Sequence, residues 1–429
     1  MSCLNTLSAC FAVSALLLSV VSCKKTDPPA PSTPTGTLSI ALSYPDSYTE
    51  PGSTVELIIT EPGGKVLLDT TAPPNTTVAA TLHTNATLVD VTTLAVNTDT
   101  SLTVTTFKSV NPSSWQTSLP NNYSSPNEQP LRPVALNLIN IPPAYSTGYE
   151  PIMISNNRQQ FDFELPINGT TLTTGIEGSV NNMLYTLLPA RLLYSFMPVA
   201  SANDTVVNGP STVIDFSQPM DTARVLTFSK PAGYSAPFNV TLYGIMDTTD
   251  FSKTLNLYQP TVFIIGDGLQ LPDVVYPPKN VQKYELSASL VGPTGKIGVS
   301  YYSYGDSLTG SFPFPTTASY TLTSNQPDNF SVQFLSVSPT YYQTEWTAGK
   351  IYFYEYSAPD TTVQHPLTFL TGLNAQKLKG QDLSGLQATS FSFDTFEGMD
   401  YAGFWGYACN PAAILTKRVS SSIYFYQVY

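Results

Sequence analysis

Short runs of alternating apolar and polar residues, separated by turn residues, fill most of the chain. Leu38, Ile40 and Leu42 alternate with small or polar residues, and Val55 to Ile59 repeats the period of two. A period of two places apolar side chains on one face of a strand. The pattern therefore predicts half-buried strands and an all-β fold.

The first of these runs are close together. A turn at 61–65 separates the runs 55–59 and 66–68, which indicates a hairpin. With about six or seven runs, residues 36–118 predict an immunoglobulin-like or transthyretin-like β-sandwich. The segments 44–57 and 62–68 also resemble the carboxypeptidase-regulatory-like β-domains found near the start of some lipoproteins.

The N-terminus reads as a targeting segment. Residues 4–22 are apolar and uncharged, and they end in small residues just before Cys23. This predicts a secretory signal peptide, although its usual positive start is absent. A single membrane-spanning anchor is the alternative, since the apolar run is borderline in length for spanning.

The sequence Val20-Val21-Ser22-Cys23 resembles the lipobox of bacterial lipoproteins. Cys23 is followed by two lysines and a Pro-rich stretch, which resembles the mature start of Bacteroidota lipoproteins. The resemblance implies acylation of Cys23 and a lipid anchor in the outer membrane. Several acyl chains on one Cys would hold the protein stably. The periplasmic and cell-surface sides are both left open.

Further composition and turn signals predict the order of segments. Four Pro and three Asn indicate a linker at 119–133. A helix is predicted at 410–418, and 182–189 fits either a short helix or a buried strand. The predicted segments are a signal peptide (1–22), a lipidated Cys and tether (23–35), an N-terminal β-sandwich (36–118), the linker (119–133), a middle β-domain (134–260) and an aromatic-rich C-terminal β-domain (261–429).

Charge and cysteine content narrow the classes of function. The net charge is −12, and this acidic balance argues against nucleic acid as a partner. Cys3 and Cys10 would leave with the signal peptide and Cys23 would be acylated, so Cys409 would remain without a disulfide partner. We expect Cys409 to be a small buried residue rather than a reactive thiol.

Motifs for metal or nucleophile chemistry are absent. The chain has two histidines, His83 and His365, which lie in different predicted domains. No zinc, P-loop or nucleophile-elbow motif occurs, so we predict no catalytic residue, metal or cofactor. A carboxylate-based glycoside hydrolase is the enzymatic alternative, with Asp394, Glu397 and Asp400 as its candidate cluster. Solvated loop acids and Ca²⁺ ligands are the other interpretations of that cluster.

Aromatic residues are concentrated in the last 170 or so positions. Flat aromatic faces can stack on sugar rings, but tyrosines in strands also cover cores. In the run 351–356, the alternation predicts that the three tyrosines share one face. The predicted ligand-binding residues are Trp346, Tyr352, Tyr354, Tyr356 and Trp405.

The layout resembles the accessory glycan-binding lipoproteins of starch-utilisation-type systems. This implies a non-enzymatic cell-envelope protein that binds a glycan or other extracellular polymer through its C-terminal β-domain. Its expected partners are the membrane, through the N-terminal lipid, the glycan, and an outer-membrane protein. A fimbrial or adhesin subunit is the structural alternative. Such subunits typically need a protease site near the mature start, whereas the first Arg here is Arg132.

Overall fold

The structure is a computed structural model of the 429-residue chain. Placement is described for residues 35–42, 52–111, 115–116, 131–141, 151–156, 160–164, 170–177, 183–198, 212–228, 235–248, 254–258, 274–292, 294–308, 319–408 and 419–429. The signal peptide, Cys23, most of the tether, nearly all of the linker, Cys409 and the helix predicted at 410–418 lie outside these ranges.

The predicted all-β class is confirmed, whereas the immunoglobulin-like or transthyretin-like type stays a prediction. The first strands are β1 (Thr35–Leu42), β2 (Val55–Thr60), β3 (Val66–Ala72), β4 (Thr76–His83), β5 (Val89–Val96), β6 (Leu102–Val110), β7 (Trp115–Gln116), β8 (Leu131–Ile139), β9 (Pro151–Ser155), β10 (Gln160–Glu164), β11 (Thr170–Glu177), β12 (Met183–Leu188), β13 (Leu193–Pro198) and β14 (Thr212–Asp215). The later strands are β15 (Asp221–Thr222), β16 (Arg224–Leu226), β17 (Ser235–Ile245), β18 (Thr254–Tyr258), β19 (Val274–Tyr276), β20 (Lys283–Val291), β21 (Ile297–Gly305), β22 (Tyr320–Gln326), β23 (Asn329–Phe334), β24 (Tyr341–Ala348), β25 (Ile351–Ser357), β26 (Val363–Gln364), β27 (Gln387–Phe396) and β28 (Ser421–Val428).

A central sheet of twelve strands runs in the order β18-β17-β20-β21-β28-β27-β24-β25-β6-β5-β2-β3. All of its neighbours pair antiparallel except β25 and β6, which are parallel from Ile351 opposite Leu102 to Tyr356 opposite Phe107. At this junction, strands from the beginning of the chain join strands from its end. The expected hairpin of β2 and β3 is confirmed within this sheet.

The central sheet takes strands from three predicted domains. β6 comes from the segment 36–118, β17 from 134–260 and β25 from 261–429. The domain boundaries themselves stay predictions. In the middle segment, two smaller sheets, β10-β9-β12-β13-β15 and β11-β8-β14, share an apolar core.

Alternation along the strands gives the central sheet two different faces. On β25, Ile351, Phe353 and Glu355 are buried, while the tyrosines between them are half-buried. We call the side of Phe353 the covered face. The sheet β22-β23-β26 and the helix α1 (Pro366–Gly372) contribute to the core that packs there. The largest buried side chains of this core are Trp346, Tyr342, Phe330, Phe353, Phe391, Phe393 and Phe425.

Two short α-helices within the described residues were not predicted. α1 begins at Pro366, a position where the missing N–H costs nothing. The second, α2 (Tyr401–Ala408), buries Phe404 and Trp405 against the other side of β2, β5 and β6. The region near 183–188 is a strand, and a 3₁₀ turn begins at Pro189 directly after it. Among the described helices, none has the length and apolar character needed to cross a membrane.

Candidate functional site

Eight half-buried or exposed tyrosines among the described residues project from the side of the central sheet opposite the covered face, and six of them, apart from Tyr243 on β17 and Tyr356 beside α2, form one surface. Their common orientation follows from the register, because residues directly opposite each other in a ladder point to the same side. We call this surface the tyrosine face. Its tyrosines are Tyr302 and Tyr304 on β21, Tyr352 and Tyr354 on β25, and Tyr424 and Tyr426 on β28.

The tyrosines form one column on β25 and a second on β28, which is widened by the pair on neighbouring β21, with a polar strip between the two columns. β24 and β27 lie between β25 and β28, and they contribute the half-buried Gln343, Glu345 and Ser390 and the buried Ser392 and Asp394 to this side. With strands about 4.8 Å apart, the columns on β25 and β28 are separated by about 14 Å. We call the polar strip between the two columns of tyrosines the polar floor.

Hydrogen bonds hold parts of this floor in place. The Ser390 hydroxyl donates to Glu345 Oε2 over 2.7 Å, and Tyr354 lies next to the same carboxylate. Burial, with the neighbouring charge of Glu345, raises the pKa of Tyr354 to about 12. Tyr354 therefore stays protonated near neutral pH and keeps a hydroxyl that can donate a hydrogen bond.

A glycine on β21 determines how the Tyr426 ring of the second column lies. The ring of Tyr426 lies over Gly298, and a Cβ atom at that glycine would come within 2.1 Å of the ring. Tyr424 lies beside Tyr426, with ring centroids 6.1 Å apart and planes tilted by 31°. Tyr424 is 37% exposed, so it offers ring surface to the solvent. Gly298 thus lets Tyr426 lie against the sheet.

The two tryptophans among the five residues predicted to bind a ligand lie in hydrophobic cores. Trp346 has no exposed surface in the covered-face core, and its Nε1 donates to Thr344 Oγ1 over 3.0 Å. Trp405 is 4% exposed within the α2 core. Burial leaves neither indole with a face for a sugar ring, so both residues are assigned to the hydrophobic cores instead.

The three predicted tyrosines do lie on one side of β25. Tyr356 packs against Phe107 with centroids 4.9 Å apart and near-parallel planes, and Trp405 meets its ring edge to face. It therefore belongs mainly to the α2 core. Tyr352 and Tyr354 lie on the tyrosine face, where their role in binding stays a prediction.

The three acids of the candidate hydrolase cluster have three different environments. Asp394 is buried beside Tyr341, and burial raises its pKa to about 7. Glu397 is exposed and accepts hydrogen bonds from Ser420 and Ser421, which lower its pKa. The side chain of Asp400 accepts from the Gly403 N–H at the start of α2. The three acids therefore do not share one environment.

The histidines have separate surroundings as well. His83 is exposed at the end of β4, and His365 lies before α1 with Nδ1 against the Asp328 carbonyl. Within the described ranges, no group of three or more His, Cys, Asp or Glu side chains is arranged to hold a metal ion.

Most tyrosines of the tyrosine face were not among the predicted ligand-binding residues. Tyr302 and Tyr304, and likewise Tyr424 and Tyr426, are spaced by two, which was a usable signal that each pair shares a face. The polar residues of the floor carried no such signal, because their position depends on the pairing of β24 with β27.

The chain was also compared with known proteins. No protein-family model matches it, and no curated protein matches its sequence.

Proposed function

We propose that this protein is a lipid-anchored cell-envelope protein that binds a glycan or other extracellular polymer on its tyrosine face. The observation that supports it best is the pair of tyrosine columns about 14 Å apart with a polar floor between them. The tyrosine rings can stack on the apolar faces of sugar rings, while the polar side chains between the columns can hydrogen-bond to the sugar hydroxyls. This combination of aromatic surface and placed polar groups suits an extended, hydroxyl-rich chain.

The open width of the face favours a polymer over a small molecule. From β25 to β21 the tyrosines span four strand spacings, or about 19 Å. Small ligands are usually enclosed in a concave pocket that buries most of their surface. A surface of this width contacts several units of a chain at once, and many weak contacts then add up.

A pair of ring-removal variants tests polymer binding. We expect the double variant Tyr354→Ala with Tyr424→Ala to lose about tenfold in affinity, because one ring of each column is removed. Affinity electrophoresis against a series of soluble polysaccharides measures it. The matched control is Tyr354→Phe with Tyr424→Phe, which keeps both rings and should retain most of the binding.

Two results would contradict this proposal. One is a wild-type protein that no polysaccharide in the series retards. The other is an alanine pair that binds as well as the phenylalanine pair, because stacking would then contribute nothing.

The anchor has its own test, because Cys23 lies outside the described residues. We expect Cys23→Ala to abolish labelling by a fatty-acid probe and to release the protein from the outer-membrane fraction. Cys409→Ala controls for label on another thiol and should remain labelled. Label that persists in the Cys23 variant would rule out the lipoprotein assignment.

A further inference from the structure

A cavity of about 440 Å³ lies on the covered face, on the other side of the sheet from the tyrosines. Its floor consists of side chains from β2, β5, β6 and β25, and α1 forms part of its wall. The turn at Pro62–Gly64 contributes to its lining. Its volume falls within the range of about 300–1,000 Å³ that is usual for small-molecule sites.

Two of the charged groups in the cavity neutralise each other. Lys108 Nζ lies 2.9 Å from Asp90 Oδ2, and the Ser109 N–H donates to Asp90 Oδ1 over 2.8 Å. The same ammonium lies 3.8 Å from the centre of the Phe369 ring. Lys108 and Asp90 therefore leave little net charge at the centre of the cavity.

Glu355 is a buried carboxyl that this ion pair does not neutralise. It lines the cavity with 1% of its surface exposed, and its hydrogen bond is with Ser357. The Ser357 hydroxyl accepts from Gln364 Nε2 over 2.7 Å, and its one proton is shared between Glu355 and the Tyr342 hydroxyl. A carboxylate can accept about four hydrogen bonds, so Glu355 retains capacity for a donor.

Thr60, on β2, is the second unsatisfied group. Its hydroxyl is buried without a hydrogen-bond partner, and the residue lines the cavity. β5 and β6 lie between β2 and β25, so Thr60 and Glu355 are three strand spacings apart, or about 14 Å. The other lining residues include four apolar ones: Pro62, Val363, Phe369 and Leu373.

We propose that this cavity binds a small primary amine, with its ammonium group against Glu355 and an apolar body leading to a hydroxyl-type group at Thr60. An ammonium group supplies the donors and the positive charge that a buried carboxylate lacks. Anionic ligands are disfavoured by Glu355, and the net charge of −12 attracts cations to the protein. This site is independent of the proposed polymer binding.

A series of probes on one scaffold tests the charge requirement. Isothermal titration calorimetry of the full-length protein at about pH 8, where Glu355 is ionised, with 6-amino-1-hexanol, 1,6-hexanediol and 6-hydroxyhexanoate compares positive, neutral and negative ends on the same six-carbon chain. We expect the amine to bind at least about tenfold more tightly than the diol, and the carboxylate to bind most weakly. Equal binding of the three, or no binding of the amine, would overturn the proposal.

Variants at the two ends of the cavity test the orientation. We expect Glu355→Gln to remove the preference for amine over diol, a change of at least about tenfold. Thr60→Val should make 6-amino-1-hexanol bind no better than hexylamine, which lacks the hydroxyl. Because the Thr60 hydroxyl has no partner, its removal should not lower the thermal midpoint.

Matched controls separate binding from general effects on the fold. Thr186→Val makes the same change at another buried, unpartnered hydroxyl on β12, outside the cavity, and Glu397→Gln neutralises an exposed acid. Both should bind the amino alcohol as the wild type does. If Glu355→Gln does not fold, the probe series and the Thr60→Val variant still test whether the cavity binds the amine. An unchanged charge preference in a folded Glu355→Gln, or equal losses in Thr60→Val and Thr186→Val, would refute the site.

Discussion

The two faces of the central sheet use the same strands for opposite purposes. On β25, Phe353 and Glu355 face the covered side, while Tyr352 and Tyr354 face the tyrosine side one residue away. On the covered face, polar groups are removed from water and their pairing controls stability. On the tyrosine face, Glu345 and Ser390 are half-buried and hydrogen-bond each other, so the burial of polar groups is less complete there. Neighbouring residues of one strand therefore differ in burial according to the face they point to.

The carboxyl groups show the same contrast. Burial raises the pKa of Glu355 to about 7, despite the nearby charge of Lys108. Exposed Glu397 has the opposite shift, since the hydroxyls of Ser420 and Ser421 stabilise its charged form. Two glutamates therefore have opposite pKa shifts, because one is buried and the other is exposed and hydrogen-bonded.

The largest contrast is expected between neighbouring residues of β25. Phe353→Ala should lower the free energy of unfolding by about 3–5 kcal/mol, because it leaves a cavity in the covered core. Tyr352→Ala, on the half-exposed side, should cost less than about 1 kcal/mol. Chemical denaturation followed by circular dichroism measures both. Similar losses for the two variants would mean that the faces are not distinct.

The next largest effect is expected on the pH dependence of the free energy of unfolding. The folded-state pKa of Glu355 is about 7 against 4.5 in the unfolded chain, so the native state binds the extra proton between these values. Stability should therefore fall as pH rises from about 4.5 to 7, by roughly 3 kcal/mol at most from this group. The charged groups acting on Glu355 are Lys108, Asp90 and His365.

Denaturation at several pH values checks this dependence. Glu355→Gln should flatten the decline, while Glu397→Gln should leave it in place. Asp394, also with a pKa raised to about 7 by burial, should contribute a residual decline of the same sign. A Glu355→Gln profile identical to that of the wild type would show that this carboxyl is not the titrating group.

A third effect concerns Glu56, which lies on the covered face of β2. Its carboxylate accepts from the Gln376 N–H over 2.6 Å and the Lys377 N–H over 2.8 Å. Glu56→Ala should lower the free energy of unfolding by about 1–3 kcal/mol, because these donors lose their acceptor. Thermal and chemical denaturation measure it. Glu397→Ala, at an exposed acid that accepts from the hydroxyls of Ser420 and Ser421, is the control and should change stability much less.

The smallest stability effect is expected at Gly298 on the tyrosine face. Gly298→Ala should displace the Tyr426 ring, which lies 2.1 Å from the new Cβ position, while changing stability by about 1 kcal/mol or less. Polymer affinity should fall more clearly than stability. Gly305→Ala, on the same strand with its nearest atom at 4.0 Å, is the matched control. Equal polymer affinity in the Gly298→Ala and Gly305→Ala variants would show that Tyr426 does not contribute to polymer binding.

Parts of the candidate site could be predicted from local patterns. Alternation placed Tyr352, Tyr354 and Tyr356 on one side of a strand, as the structure shows. It could not predict that α2 would cover Tyr356 and leave Tyr354 open. Nor could it predict that Trp346, only six positions before Tyr352, would face the covered side.

The sequence by itself determined the all-β class, the hairpin of β2 with β3 and the shared side of the β25 tyrosines, because each depends on residues a few positions apart. Only the tertiary structure decided the parallel pairing of β25 with β6, which joins positions about 250 residues apart. That pairing brings Asp90 and Lys108 to the same cavity as Glu355. The physical reason is that alternation specifies two sides of a strand, whereas the neighbouring strands and the layers packed on the sheet decide which side is buried.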